Sequence, residues 1–330
     1  MITHQDFTTR FLQVHGVIWR LRCYNEIMKL LVFDVGGTEI KYGILEDALN
    51  ISELDHVATP KESFSCFIDL VKDIHSHYKD EVAGIAMAMP GPVDVENGIV
   101  EKCGAMRYPH DDHVAVILKE ACGCKVVMEN DGKAAALAEH RYGCLQGCQN
   151  AATFVIGTAV GGGLIINNDI VRGPRFMAGE FSFINTQADR YDMEDQMIGF
   201  SCSTSFLLKR YQELSQNKEM IDGRELFKRL ENDENAQKAL DELCTNIAIQ
   251  IYNLYFLLDL EKIAIGGGIS RQEIVIEKIK EKFQEVVNTA MTSRFITELP
   301  IEILPCRFGN EANLIGSYIV YDEYQNKLRY

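Results

Sequence analysis

Three glycine-rich turns follow apolar runs in the chain: Asp34-Val-Gly-Gly-Thr38, Gly157-Thr-Ala-Val-Gly-Gly-Gly163 and Gly266-Gly-Gly268. Backbone N–H groups that no side chain shields are good donors to phosphate oxygens, so such turns at strand ends suit a polyphosphate. None fits GxxxxGK[ST] and none opens a βαβ unit as GxGxxG, which sets aside P-loop and dinucleotide-fold readings. A single turn of this kind is just a tight turn, but three at strand ends point to a nucleotide. Two carboxylates could then act on a hydroxyl. Asp131 closes Glu129-Asn130-Asp131, where a strand gives way to a helix. There it either caps the helix or acts as a general base, a role that contributes roughly 10²–10⁴-fold. Glu180, in Ala178-Gly179-Glu180, reads by itself as a loop carboxylate.

The elements that must position these residues alternate between strand and helix patterns, as in an α/β protein. Strands are expected at 30–34, 40–46 and 52–59, and a helix at 64–78 with apolar residues at Phe67, Leu70, Val71 and Ile74. A buried strand over 82–89 ends at Pro90-Gly91-Pro92, and a short strand at 126–129 leads into an alanine-rich helix over 133–141. A second cycle has strands at 151–157 and 164–167, a turn at Asn168-Asp169, and a strand at 170–172. Helices are then expected near 203–214, 223–231, 236–258, 271–289 and 311–325, with strands at 262–265 and 301–304. A strand, a glycine break and a returning strand recur at 31–45 and 153–167, which suggests two related lobes around a cleft.

Composition narrows the function classes. With 330 residues, 47% hydrophobic and 7 prolines, the chain can bury two cores and is not of a disordered type. A net charge of −15 argues against nucleic-acid or anionic-membrane partners. No apolar run reaches the ~18 residues that a membrane span needs. The ten cysteines, without a secretory signal, are expected as reduced thiols in a cytoplasmic protein. Cys122, Cys124, Cys144 and Cys148 do not show the usual zinc-pair spacing. Met28-Lys29 stands directly before the first apolar strand, so residues 1–27 are expected as an N-terminal extension outside the fold.

The segments FDVGGTEIKYGI (33–44), MPGPVD (89–94), ENDGKAAALAE (129–139), GTAVGGGLIINNDIVRG (157–173), AGEF (178–181) and AIGGGIS (264–270) together resemble the ROK family. This is the repressor, open reading frame and sugar kinase family of the actin/hexokinase-like ATPase clan, and the resemblance covers about residues 28–320. It implies a two-lobed actin-like (ribonuclease H-like) ATPase fold, each lobe a mixed sheet flanked by helices, with a cleft between them. Residues 28–125 plus 311–330 would form the small lobe and 126–310 the large lobe. It also implies an ATP-dependent sugar kinase with Mg²⁺, usually acting on the 6-hydroxyl. Asp34, Gly36, Gly37 and Thr38 would form the first phosphate turn, with Asp34 near the metal, directly or through water. Thr158, Gly161 and Gly162 would belong to the second turn, and Gly266, Gly267 and Gly268 would lie against adenosine. Asp131 matches the family's base, and Asn130 and Glu180 match residues that bond sugar hydroxyls. The implied partner is a small sugar, and family members are often homodimers.

The chain departs from the family at its structural zinc site. Where a GEIGH-like segment supplies a histidine, this chain reads GEFSFI and places Phe183 there. The next twenty residues hold only Cys202, so no structural zinc is expected. Asp192, Glu194 and Asp195 follow, but none aligns with the glutamate that helps hold the sugar in zinc-bearing members. Fewer polar groups at the anomeric end, with Phe181, Phe183 and Tyr191 nearby, suit a β-glucoside. Glucokinase and N-acetylmannosamine kinase specificity stand as alternatives, as does a catalytically silent sugar sensor. Asp34, Thr38, Asp131 and Glu180 are all present, which weighs against lost chemistry. Only 33 residues precede Asp34, and they lack the paired amphipathic helices of a DNA-binding domain.

Overall fold

The computed structural model describes residues 11–14, 17–20, 28–100, 113–186, 193–216, 220–296 and 298–327, and it contains two five-stranded sheets of the same strand order. The first is built from β1 (Leu30–Val35), β2 (Glu39–Asp47), β3 (Asn50–Ala58), β4 (Gly84–Met89) and β5 (Lys125–Asn130), arranged β3-β2-β1-β4-β5. β1 is antiparallel to β2 and parallel to β4, and β4 is parallel to β5. The second sheet uses β6 (Ala151–Ile156), β7 (Val160–Ile166), β8 (Asp169–Ile170), β9 (Lys262–Gly266) and β10 (Glu302–Pro305), arranged β8-β7-β6-β9-β10 with matching directions. The two recurring segments at 31–45 and 153–167 are therefore the first hairpins of one topology used twice.

The strands follow from their residues. β1 is apolar on both faces because both are covered. Leu31, Phe33 and Val35 meet α1 (Phe64–Tyr78) and α2 (Val114–Cys122), while Leu30 and Val32 pack with residues of α3 (Asp131–Tyr142) and the C-terminal helix α7 (Ala312–Lys327). In the second sheet, Phe154 and Ile156 pack into a core shared with α4 (Thr204–Ser215), α5 (Glu234–Leu258) and α6 (Glu273–Thr289). Side-chain caps start several of these helices: Ser63 on α1, Ser203 on α4 and Asp233 on α5. Helix α7 returns to the first sheet, where the Tyr318 hydroxyl bonds the carbonyls of Met28 and Glu46 and the Tyr321 hydroxyl bonds that of Ala83.

One expectation changes here. The expected boundary between residues 125 and 126 falls inside β5, which pairs with β4 from Lys125 to Asn130 and so belongs to the first sheet. The connection just before it is an ordinary helix-to-strand turn, with Gly123 in the left-handed conformation at the end of α2. In the expected extension, Phe11–Val14 and Val17–Arg20 pair as an antiparallel hairpin that joins neither five-stranded sheet. The rest of that segment lies outside the described residues.

Between the sheets, α3 is buried without interruption from Gly132 to Glu139, and its neighbours approach it backbone to backbone. A Cβ added at Gly132 would lie 2.4 Å from the Gly162 nitrogen, and one at Gly163 would lie 2.6 Å from the Ala136 Cβ. Across the helix, a Cβ at Gly316 in α7 would lie 1.9 Å from the Ala134 carbonyl oxygen. These glycines are needed for close approach. Gly316→Val is expected to destabilise the protein by about 3 kcal/mol or more, since overpacking against backbone cannot be relieved by a rotamer change. Gly223→Ala, at a helix start with nothing within 4 Å, is expected to be neutral or slightly stabilising. Denaturant unfolding of the two variants checks both, and equal midpoints would refute the packing argument.

Candidate active site

The junction of β5 and α3 carries the central carboxylate. Asn130, not Asp131, caps the helix: its side-chain oxygen accepts from the Lys133 N–H at 3.0 Å. The Asn130 amide nitrogen donates to the Gly91 carbonyl at 3.0 Å and to Asp131 Oδ1 at 3.1 Å. Asn130 is buried with both amide hydrogens committed, so it retains only acceptor capacity for a sugar hydroxyl. Asp131, released from capping, accepts the Gly132 N–H on Oδ1 at 2.7 Å, and its Oδ2 takes no hydrogen bond from any described residue. Burial pushes the Asp131 carboxyl up to about 6. The Gly132 N–H opposes this shift, the charges of Asp34 and Glu180 add to it, and Lys133 opposes it.

Glu180 comes from the second lobe, at the end of the segment after β8. Its Oε1 accepts from the Lys133 ammonium at 2.7 Å, while Oε2 takes no bond from a described residue. Lys133 is 1% exposed and Glu180 15% exposed. Beside them, Glu129 Oε2 receives both Nε and Nη2 of Arg172 at 2.7 Å, an ion pair that joins β5 to the second lobe. The buried Glu129 carboxyl is raised by desolvation against the pull of Arg172. Lys133 and Arg172 are not singled out by the sequence reading. The signal for Lys133 is a charged side chain inside an otherwise alanine-rich run, where burial demands a partner.

The three glycine turns differ in what their glycines do. In the first, Thr59 fastens the turn by donating its hydroxyl to the Gly36 carbonyl at 2.6 Å and its N–H to the Thr38 carbonyl at 3.0 Å. Gly37 and Thr38 remain exposed at the tip. Asp34, just before it, accepts from Asn313 of α7 on Oδ1 at 2.9 Å, and burial raises its carboxyl above the usual range. The second turn is fastened to the start of α4, with Thr204 Oγ1 donating to Gly157 O at 2.7 Å and Ser205 Oγ to Thr158 O at 2.8 Å. Here Gly162 is glycine for packing reasons, because a Cβ would meet Thr153 O at 2.2 Å and the Phe181 ring at 2.5 Å. Gly157 and Gly161 are not crowded in this way: an added Cβ would make only ordinary contact, 3.5 Å from Ala159 O and 4.0 Å from Gly132 Cα. In the third turn, Gly267 has φ of +88°, and a Cβ there would lie 2.0 Å from Ile156 O, whereas nothing lies within 4 Å of Gly268.

The aromatic residues expected near the anomeric end separate. Phe181 is buried against Phe154 with ring centroids 5.4 Å apart, so it belongs to the core and not to a sugar surface. Phe183, one turn beyond Glu180, is 62% exposed. Tyr191 and Asp192 lie outside the described residues. Cys202 lies in the core, where burial pushes its thiol up to about 12. Among the described residues, no group of three His, Cys, Asp or Glu side chains is poised around a metal position. The Asp34 setting instead fits a cation held by one carboxylate together with phosphate oxygens and water. A groove of about 920 Å³ lies elsewhere, along α5 and the segment before α4, and none of the expected site residues lines it.

Comparison with known proteins identifies relatives along most of the chain. The chain is 29% identical over 305 residues to a β-glucoside kinase of Listeria monocytogenes, covering 91% of this chain and 99% of that protein. It is 28% identical over 309 residues to an N-acetylmannosamine kinase of Haemophilus influenzae, covering 88% and 94%. The crystal structure of a ROK family protein from Streptococcus pneumoniae in complex with sucrose matches with a TM-score of 0.79 at 27% identity, covering 91% of this chain and 100% of that one. The ROK family model matches residues 31–323, a span that takes in all three glycine turns, the β5–α3 junction and the returning helix α7; the chain belongs to the ROK family.

Proposed function

We propose that the protein is an ATP-dependent kinase that phosphorylates a sugar hydroxyl, the 6-hydroxyl of a hexose or β-glucoside, with Asp131 as the general base. One observation carries the assignment: Asn130 takes over the capping of α3, which leaves Asp131 Oδ2 unengaged beside Glu180 and Asp34. A carboxylate whose task was to cap the helix would accept the N–H of the second or third residue beyond it, as Asn130 does from Lys133. The exposed turn at Gly37 and Thr38, with Thr158, the uncrowded Gly157 and Gly161 and the open position at Gly268, would hold the nucleotide, and Asp34 would face its Mg²⁺. MgATP supplies the phosphoryl group and most of the charge neutralisation.

The chain's own residues then have distinct tasks. Asp131 Oδ2 accepts the proton of the attacking hydroxyl. Glu180 and the remaining lone pair on the Asn130 oxygen orient the other sugar hydroxyls. The two lobes exclude water, which would otherwise compete as acceptor. A β-glucoside is the favoured substrate, supported by the exposed Phe183 ring one turn past Glu180 and by the named Listeria relative. Hexose or N-acetylated hexosamine specificity is the second reading, supported by the Haemophilus relative. The cytoplasm is the fitting compartment, because ATP is supplied there and eight described thiols are free.

Purified protein with MgATP should release ADP only when a sugar is added, and a panel of glucose, N-acetylmannosamine, methyl β-glucoside and cellobiose should rank the substrates. ADP release that ignores every sugar would refute the kinase reading. Asp131→Asn should lower kcat by ~100-fold or more with ATP binding retained, in line with the usual size of a general-base contribution. Normal turnover in that variant would remove Asp131 from the role. The base works only when ionised, so kcat/KM for the sugar should fall as pH drops through about 6. A rate that is flat from pH 7 to 5 would contradict the assignment.

A further inference from the structure

Lys133 is a fully buried lysine in the first turn of α3, two residues beyond Asp131, and its ammonium lies 2.7 Å from Glu180 Oε1. Arg172, the neighbouring cation, is committed to Glu129, so it does not serve Glu180. We propose that Lys133 is the positioning residue of sugar recognition: its ammonium holds one oxygen of Glu180 so that the other, Oε2, is presented as a single directed acceptor for a sugar hydroxyl. This inference rests on the sugar-kinase reading of the same site.

Three features support it. A glutamate has several rotatable bonds, and a flexible acceptor loses conformational freedom when it binds, so holding it in advance improves affinity without any new contact with the sugar. The contact also joins α3 to the segment after β8, and thus sets the sugar acceptor relative to the helix that carries the base. Finally, a purely structural contact at this place would be better made by an apolar side chain. The surrounding Ala134, Ala135, Ala136, Leu137 and Ala138 are all buried, and a buried ion pair in such surroundings is generally no more stable than a hydrophobic replacement. A charge retained there is explained by what it does to Glu180.

The test is steady-state kinetics on the full chain, varying sugar at saturating MgATP and then MgATP at saturating sugar. The sugar is whichever of glucose, methyl β-glucoside and N-acetylmannosamine the wild type phosphorylates fastest. Lys133→Met is expected to raise the KM for the sugar by ~10-fold or more, as loss of a charge-assisted contact would, and to leave the KM for ATP within about twofold. In a Glu180→Gln background the same substitution should add little to the sugar KM, because that effect acts through Glu180, whereas the influence of its charge on Asp131 would touch kcat in both backgrounds. An unchanged sugar KM overturns the proposal. So does an equal effect with and without Glu180, or a fall in kcat with both KM values intact, which is the mark of a smaller folded fraction. If Lys133→Met does not fold, Lys133→Arg replaces it; the longer, planar group should raise the sugar KM in the wild-type background and not in Glu180→Gln, and additive effects overturn the proposal. A wild type inactive on all three sugars overturns the kinase reading itself, and this inference with it.

Discussion

The arrangement depends on α3 being held by bare backbone on two sides. Gly132 meets Gly162 and Ala136 meets Gly163 on one side, and Ala134 meets Gly316 on the other. Such contact fixes the helix to within a methyl group, because interiors are packed too closely to absorb an added side chain. It does so at the helix start, where Asp131 and Lys133 project. Side chains in a looser interface would leave those groups free to shift, and a misplacement of about 1 Å is enough to lower a catalytic rate severely.

From that fixed helix the polar groups follow in sequence. Asn130 closes the helix end and reaches the loop at Gly91, so the first lobe is tied to the same point. Lys133 reaches Glu180 and Glu129 reaches Arg172, so the second lobe is tied to it as well. Deeper in the helix, Glu139 accepts the N–H groups of Cys144 and Phe308 at 3.0 Å each, which anchors the segment leading into α7. Each buried carboxylate along this path has a cation or backbone N–H donors, as burial of charge requires.

Much of this was legible in the sequence. The repeated strand, glycine break and returning strand announced two like sheets, because apolar periodicity and glycine punctuation are local signals. Asp131 and Glu180 were singled out through a motif. The misplaced boundary at β5 has a different origin: which sheet a strand joins is decided by partners far along the chain, and the Lys125–Asn130 segment carries no mark of its choice. The role of Asn130 as cap was not separable from that of Asp131, since both residue types start helices well. Phe181 was grouped with Phe183 and Tyr191 near an anomeric end that had lost polar groups, yet its ring meets Phe154 and blocks any Cβ at Gly162. The glycines of the second turn also look alike in the sequence. Only the geometry separates Gly162, excluded from carrying a side chain by its own protein, from Gly161, where an added Cβ would make only ordinary contact.

The repetition of one strand order in both sheets has a thermodynamic consequence. Under the proposed function each sheet lends its first hairpin turn to one polyanion, which would touch both only for certain relative orientations of the halves. Occupancy and interlobe angle would then be linked variables: whatever factor closure gained in affinity, a bound polyanion would return as the same factor in favour of the closed form. Such a site would be a measuring device for its own shape, and neither half in isolation would carry it.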